Sequence, residues 1–371
     1  MKYLIVFLIA LFLSGCSKES NNPVTPVADG DIKFGIYFLK DSSLKIKYLF
    51  QKDLSTFELQ PDAWISDKDI EFYDWSSHLI YLKKSKSSFF PSVNGQLSIP
   101  DSWDFKPFVL ASKDKKFLAG YFQPIWTNEM WPFANMLDFD LEHYYPDDIV
   151  YLDWPFFPAE DRRQNEEMKA YLKSINLLHE GIKLTIDSLF ITNNSDTATI
   201  RYNYTVRNMD SDNLYVLDPD KMGTNLYHYF TNGVVFYNDN EKILYESRYK
   251  TLQPDPFDSY DSKWFTKIES GKTISRSVVL KGYPHLPSGL YYFKLNFGSP
   301  INISRQNRQL SDGRYWIGDT SSETMACEIG QKSNQSARIR TVSIHNNNIT
   351  QKNPAHLQRK DVRKNPSHRA Y

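Results

Sequence analysis

The 371-residue chain has only two cysteines, at positions 16 and 327. That is too few for a small secreted scaffold stapled by disulfides. Glycine is scarce too, at 15 residues, which excludes a collagen-like assembly. An excess of charge of one sign is missing: 44 basic residues balance 44 acidic ones. With no net field to steer the body toward a polyanion, a nucleic-acid partner is not expected. Catalytic signatures are missing as well. There is no His-Glu-x-x-His, no Cys-x-x-Cys and no Gly-x-Ser-x-Gly, and none of the eight histidines pairs at metal-ligand spacing. Gly271-Lys272-Thr273 lacks the earlier glycine of a phosphate loop. Neither a metal nor a cofactor is expected.

What is present is aromatic. The chain holds 24 Phe, 24 Tyr and 8 Trp, and 41% of it is hydrophobic, ample to offset chain entropy in a packed core. Its length suggests two domains.

The amino terminus is of a different kind. Met1-Lys2 leads into an apolar run from Tyr3 to Leu13, then Ser14-Gly15, then Cys16, after which Ser17 to Asn22 is wholly polar. The run is too short to span a bilayer, which takes about 20 residues. A basic start, an apolar middle and small residues before a cut make a secretory signal peptide. Leu13-Ser14-Gly15-Cys16 resembles the lipobox of bacterial lipoproteins. The resemblance implies removal of residues 1–15, lipidation of the Cys16 thiol, acylation of the new amino terminus, and so a membrane anchor of two or more chains. It further implies delivery to the outer membrane, since Ser17 stands where aspartate would retain the protein. Lys18-Glu19 partly resembles the charged export tag of surface-displayed lipoproteins, so periplasmic and surface display both stay open. With Cys16 acylated, Cys327 has no disulfide partner. Residues 16–30, rich in Ser, Asn, Pro and Asp, read as a tether.

The rest predicts a mostly β protein. Over 31–158 short strands and hairpins, such as 69–74 with 78–83 and 107–111 with 116–122, indicate a small β or α+β domain. Over 159–180 the acids Glu160 and Asp161 precede an apolar stripe of Met168, Tyr171, Leu172, Ile175 and Leu178 at helical spacing, and Gly181 closes it, which predicts a connecting helix. Over 181–310 apolar and polar residues alternate, as in Ile182, Leu184 and Ile186, then Ile200, Tyr202, Tyr204 and Val206. The run Leu286-Pro287-Ser288-Gly289-Leu290-Tyr291 with Phe293 and Leu295 resembles the final strands of bacterial immunoglobulin-like domains, and implies a β-sandwich. Residues 311–371 carry a polar, basic composition: from Gln331 onward there are nine basic residues and one acid. This predicts a disordered tail.

Two segments stand out as candidate ligand contacts. Asp138, Asp140 and Glu142 alternate with Phe139 and Leu141, placing three carboxylates on one face of a strand, where water or a hard cation would screen them. No glycine-turned calcium loop accompanies them, so a solvated face is the simpler reading. Trp126, Trp131 and Trp154 lie in an aromatic-rich stretch whose flat rings could stack on sugars while the carboxylates accept from hydroxyls. Together these features describe a lipid-anchored envelope protein acting as a non-catalytic binding module for an envelope protein or glycan. The competing class is a hydrolase of envelope or extracellular polymer that draws on the same acids.

Overall fold

The computed structural model describes residues 33–340 except 50–51, 94–95, 98, 125, 128–130, 132, 138–144, 155–160, 239–242, 248–251, 256–258, 301 and 331–337. Cys16, the leader, the tether, Asp138, Asp140, Glu142 and residues 341–371 lie outside the described residues. The described residues fall in one compact unit, and no helix among them is long and apolar enough to cross a membrane.

The protein is mostly β, built of small sheets. The first has five strands in the order Ile65–Ser66, Phe34–Phe38, Pro107–Ser112, Lys116–Gln123 and Ala134–Leu137, the last pair parallel. Its strands are apolar on both faces because both are covered. Phe34, Ile36, Phe108 and Leu110 pack with Met168 and Leu172 on one side, while Tyr37, Val109 and Tyr121 pack with Ile46 and Phe57 on the other. The second sheet orders Ile149–Tyr151, Leu79–Leu82, Ile70–Asp74 and Leu178–His179. The hairpins expected at 69–83 and 107–122 are present, each with one shift of register.

The stretch from 181 onward does not form the immunoglobulin-like sandwich. Its strands are dealt to three sheets, and the whole reads as a five-bladed propeller arrangement. One sheet holds Ile182–Asn193, Thr197–Asn208 and Thr273–Pro284. Another orders Phe265–Ile268, Leu214–Leu217, Gly313–Tyr315 and Gln309–Leu310, and the largest is built on Val234–Asn238, Gly289–Gly298 and Met325–Ile329. Alternation correctly marked one buried and one wet face on the two 12-residue strands. Period two does not encode which partner a strand takes, so the sheet assignment was beyond it. The main core joins the halves: Leu79, Tyr81 and Ile149 pack among Leu184, Tyr202, Phe293 and Trp316.

Two further expectations are corrected. The connecting helix is α1, Glu166–Ser174, shorter than 159–180. Asn165 caps it, its side chain accepting from the amides of Glu167 and Met168, both at 3.0 Å, so the capping asparagine sets the start. Asn176, at φ 59°, turns the chain out early, and Leu178 joins a strand. The predicted disorder from 311 also fails for the described part. Gly313–Tyr315, Asp319–Ser321, Met325–Ile329 and Arg338–Arg340 are strands, and Trp316, Ile317 and Cys327 are core. Cys327 is a free, buried thiol, pushed up to about 12 by burial.

Candidate functional site

An open pocket of about 710 Å³ lies where two distant chain segments meet. One wall begins at Asp261, whose carboxylate accepts from the Lys263 amide at 2.9 Å and caps the short 3-10 turn Ser262–Trp264. The turn runs straight into the strand Phe265–Ile268, so the Trp264 ring is held at the sheet margin, tilted against Phe230 at 6.0 Å. The other wall comes from the helical turn Arg305–Arg308 and Leu310. That turn is pinned from behind. Arg308 pairs with the buried Asp148 at 2.6 Å and lies 4.6 Å from the Tyr81 ring centre, and Arg305 donates to the Lys83 carbonyl at 2.9 Å. Asn307 is thereby presented to the pocket on a fixed support.

The floor is aromatic. Tyr315 sits between Phe265, at 4.6 Å, and Tyr260, at 6.0 Å, with all three rings edge-on to one another. Burial, with Tyr260 and Asp261 nearby, raises the Tyr315 hydroxyl above its ordinary value, so it stays protonated and a donor at neutral pH. Aromatic faces fringed by hydroxyls, an amide and carboxylates make a surface that binds through stacking and hydrogen bonds together.

Of the residues singled out from the sequence, the three tryptophans are described, and each has its own surroundings. Trp126 is 67% exposed, edge-on to Phe105 at 6.1 Å, with its indole N–H held by the Asp104 carboxyl. Trp131 is half-buried against the cluster of Tyr37, Val109 and Tyr121, and its amide donates to the Tyr121 hydroxyl at 3.2 Å. Trp154 is half-buried, with its amide donating to Asp153 at 2.8 Å. Trp126 lies by Phe105, Trp131 packs on the cluster of Tyr37, Val109 and Tyr121, and Trp154 follows Asp153, which bridges to Asn135 in the first sheet.

A second cluster is buried and charged. The Arg314 guanidinium, 2% exposed, donates through Nη2 to Asp74 at 2.9 Å and to Asp210 at 2.7 Å. Trp316 Nε1 donates to the Ser76 hydroxyl at 2.8 Å, which in turn donates to Asp74 at 2.7 Å. Gly181, at φ 69°, sits so close to Ser76 and Asp74 that no Cβ fits. Asp210 also faces His179 Nδ1 at 2.9 and 3.0 Å, and Asp212 stands near, so that His179, Asp210 and Asp212 are the one potential metal-ligand group among the described residues. The donor set does not suit a dication, because the charge of Asp210 is already met by a buried guanidinium. Burial alone would raise the Asp210 carboxyl, but the His179 hydrogen bond and Arg314 override it and hold it well below the usual carboxylate range. This cluster ties the strand Ile70–Asp74 to the strand Gly313–Tyr315 and is structural.

Sequence reasoning passed over Tyr260, Trp264, Asn307 and Tyr315. The Pro-Ser-Asp-rich run before Trp264 was a legible loop signal, but nothing local announced that residues near 310 complete the wall. No family model, curated protein or solved structure matches the chain.

Proposed function

We propose that the protein is a lipid-anchored component of the bacterial cell envelope, held in the outer membrane through Cys16, whose β-rich body binds a ligand or partner. The observation that carries this reading is the leader, an eleven-residue apolar run ending in Leu13-Ser14-Gly15-Cys16 with a polar tether behind it. The aromatic pocket supports the binding part. Changing Cys16→Ser should reduce palmitate labelling to background and move the protein from the membrane to the soluble fraction. Unaltered labelling and sedimentation would refute the anchor.

One observation favours a second reading, a hydrolase of envelope polymer. Asp319 is an exposed residue whose carboxyl lies against Gly298, and that desolvation together with the Asp153 charge raises it to about 7. A carboxyl still protonated near neutrality is what a general acid requires. The folded protein retains that proton while an unfolded chain loses it near pH 4, so stability present at low pH is lost as pH rises from about 4 to 7. Asp319→Asn, which imitates the protonated form, should remove that loss and leave the variant more stable than wild type at pH 7 by about 1 kcal/mol after allowance for screening. If the second reading holds, the same variant stops releasing reducing ends from envelope polysaccharide. Identical urea midpoints for the two proteins from pH 4 to 7 would contradict the assignment.

A further inference from the structure

We propose that the pocket lined by Asp255, residues 259–264 and residues 307–315 is a binding site for a neutral glycan, with a sugar ring stacked on Trp264 and Tyr260. This rests on the binding reading above and names its ligand class.

Three observations converge. Three polar groups at the rim are free to receive a ligand: among the described residues, neither the Trp264 indole N–H, the Tyr260 hydroxyl nor the Asn307 side-chain amide is engaged in a hydrogen bond. Trp126 differs, since its indole N–H already serves Asp104. A planar amide offers one donor edge and one acceptor edge, which matches a pair of neighbouring hydroxyls on a sugar ring. The second observation is charge. Asp255 and Asp261 line the pocket, and among the described residues no Lys, Arg or His does. Carboxylates accept from sugar hydroxyls, whereas they repel uronate or phosphate groups, so an anionic polymer is disfavoured. The third is the arrangement of the rings. A cage for a quaternary ammonium needs several ring faces turned on one point. Here Phe265 and Tyr315 are 3% and 6% exposed and pack on each other, so that among the described residues the half-buried Trp264 and Tyr260 are left to offer ring surface. Open faces beside hydroxyls and an amide suit stacking of a flat sugar. The volume, about 710 Å³, falls in the range of small-ligand sites.

The test uses the full acylated chain in detergent, titrated calorimetrically with cellohexaose, maltohexaose, mannohexaose and laminarihexaose, and with a galacturonate hexamer and choline as contrasts. At least one neutral hexasaccharide should bind saturably. Tyr260→Phe and Asn307→Ala, which remove one hydrogen-bonding group each and leave the packing in place, should weaken it about fivefold each. Trp264→Ala should weaken it about tenfold or more. The proposal is overturned by silence from all four neutral sugars, by tighter binding of galacturonate or choline, or by affinities indifferent to Tyr260→Phe and Asn307→Ala. Cys16 labelling is read on the same preparations. Sugars that fail while the label persists refute the glycan site alone, and sugars that bind an unlabelled, soluble protein refute the anchor alone.

Discussion

Arg314→Ala should destabilise the protein by about 3–5 kcal/mol, because it strips the cation from two buried carboxylates at once. Asp74 and Asp210 are 0% and 3% exposed, and both hold their oxygens toward Arg314 Nη2. The residual protein would have to bury both without a counter-charge. In a chain of this size the loss corresponds to a melting temperature lower by on the order of 10 °C. The pair is no sign that charge is the best filling for this site: among the described residues, Nε and Nη1 of Arg314 find no hydrogen-bond partner. A buried pair can cost as much in lost hydration as its attraction returns. Arg314→Met should therefore be far better tolerated together with Asp74→Asn and Asp210→Asn than alone. The pH dependence has a fixed sign. Since the Asp210 carboxyl is held below its ordinary range, its contribution is complete above about pH 4 and fades as acid protonates it. The gap between wild type and Arg314→Ala should narrow between pH 7 and pH 3. Urea midpoints at the two pH values decide it, and a gap that stays constant or widens in acid would remove Asp210 from the account.

What could be read from the sequence follows from how far apart the determining residues lie. The strands Ile182–Asn193 and Thr197–Asn208 were legible because their pattern is local: each inward residue is two positions from the next. The hairpin around Trp75-Ser76-Ser77 was legible for the same reason. The helix was legible in kind and wrong in length. Its apolar stripe continues through Leu178, but Asn165 and Asn176 set the ends by hydrogen bonding and backbone conformation, which a stripe does not record. The pocket was illegible. Tyr260 and Trp264 reach Tyr315 only because Leu214–Leu217 pairs antiparallel with Phe265–Ile268 on one side and parallel with Gly313–Tyr315 on the other. Non-local pairing of that kind leaves no trace in any short window. The charged cluster was hidden similarly: Asp74, Asp210 and Arg314 each read as an ordinary surface charge until the fold removes them from water.

The stretch after 310 shows how averaging misleads, and it supplies the other large expected effect. A chain ended at Leu310 should not fold. It loses Gly313–Tyr315, an inner strand flanked by Leu214–Leu217 and Gln309–Leu310, and Met325–Ile329, which pairs along Gly289–Gly298. It also loses Arg314 and the fully buried Trp316 and Ile317. Removing one buried tryptophan side chain alone costs about 3–5 kcal/mol. The losses together exceed the roughly 5–15 kcal/mol by which a native protein is stable. Near-ultraviolet circular dichroism should be flat and the melt without a cooperative transition. A chain ended at Gly330 should behave very differently. Among the described residues it forgoes only Arg338–Arg340, an edge strand of three residues paired to Met325–Ile329, and its melting temperature should fall by no more than about 4 °C. The basic composition that made the whole of 311–371 look unstructured belongs to residues after 330, while the twenty residues before them carry Trp316, Ile317 and Cys327 into the core. A cooperative melt from the chain ended at Leu310 would show that these strands merely decorate a body that folds without them.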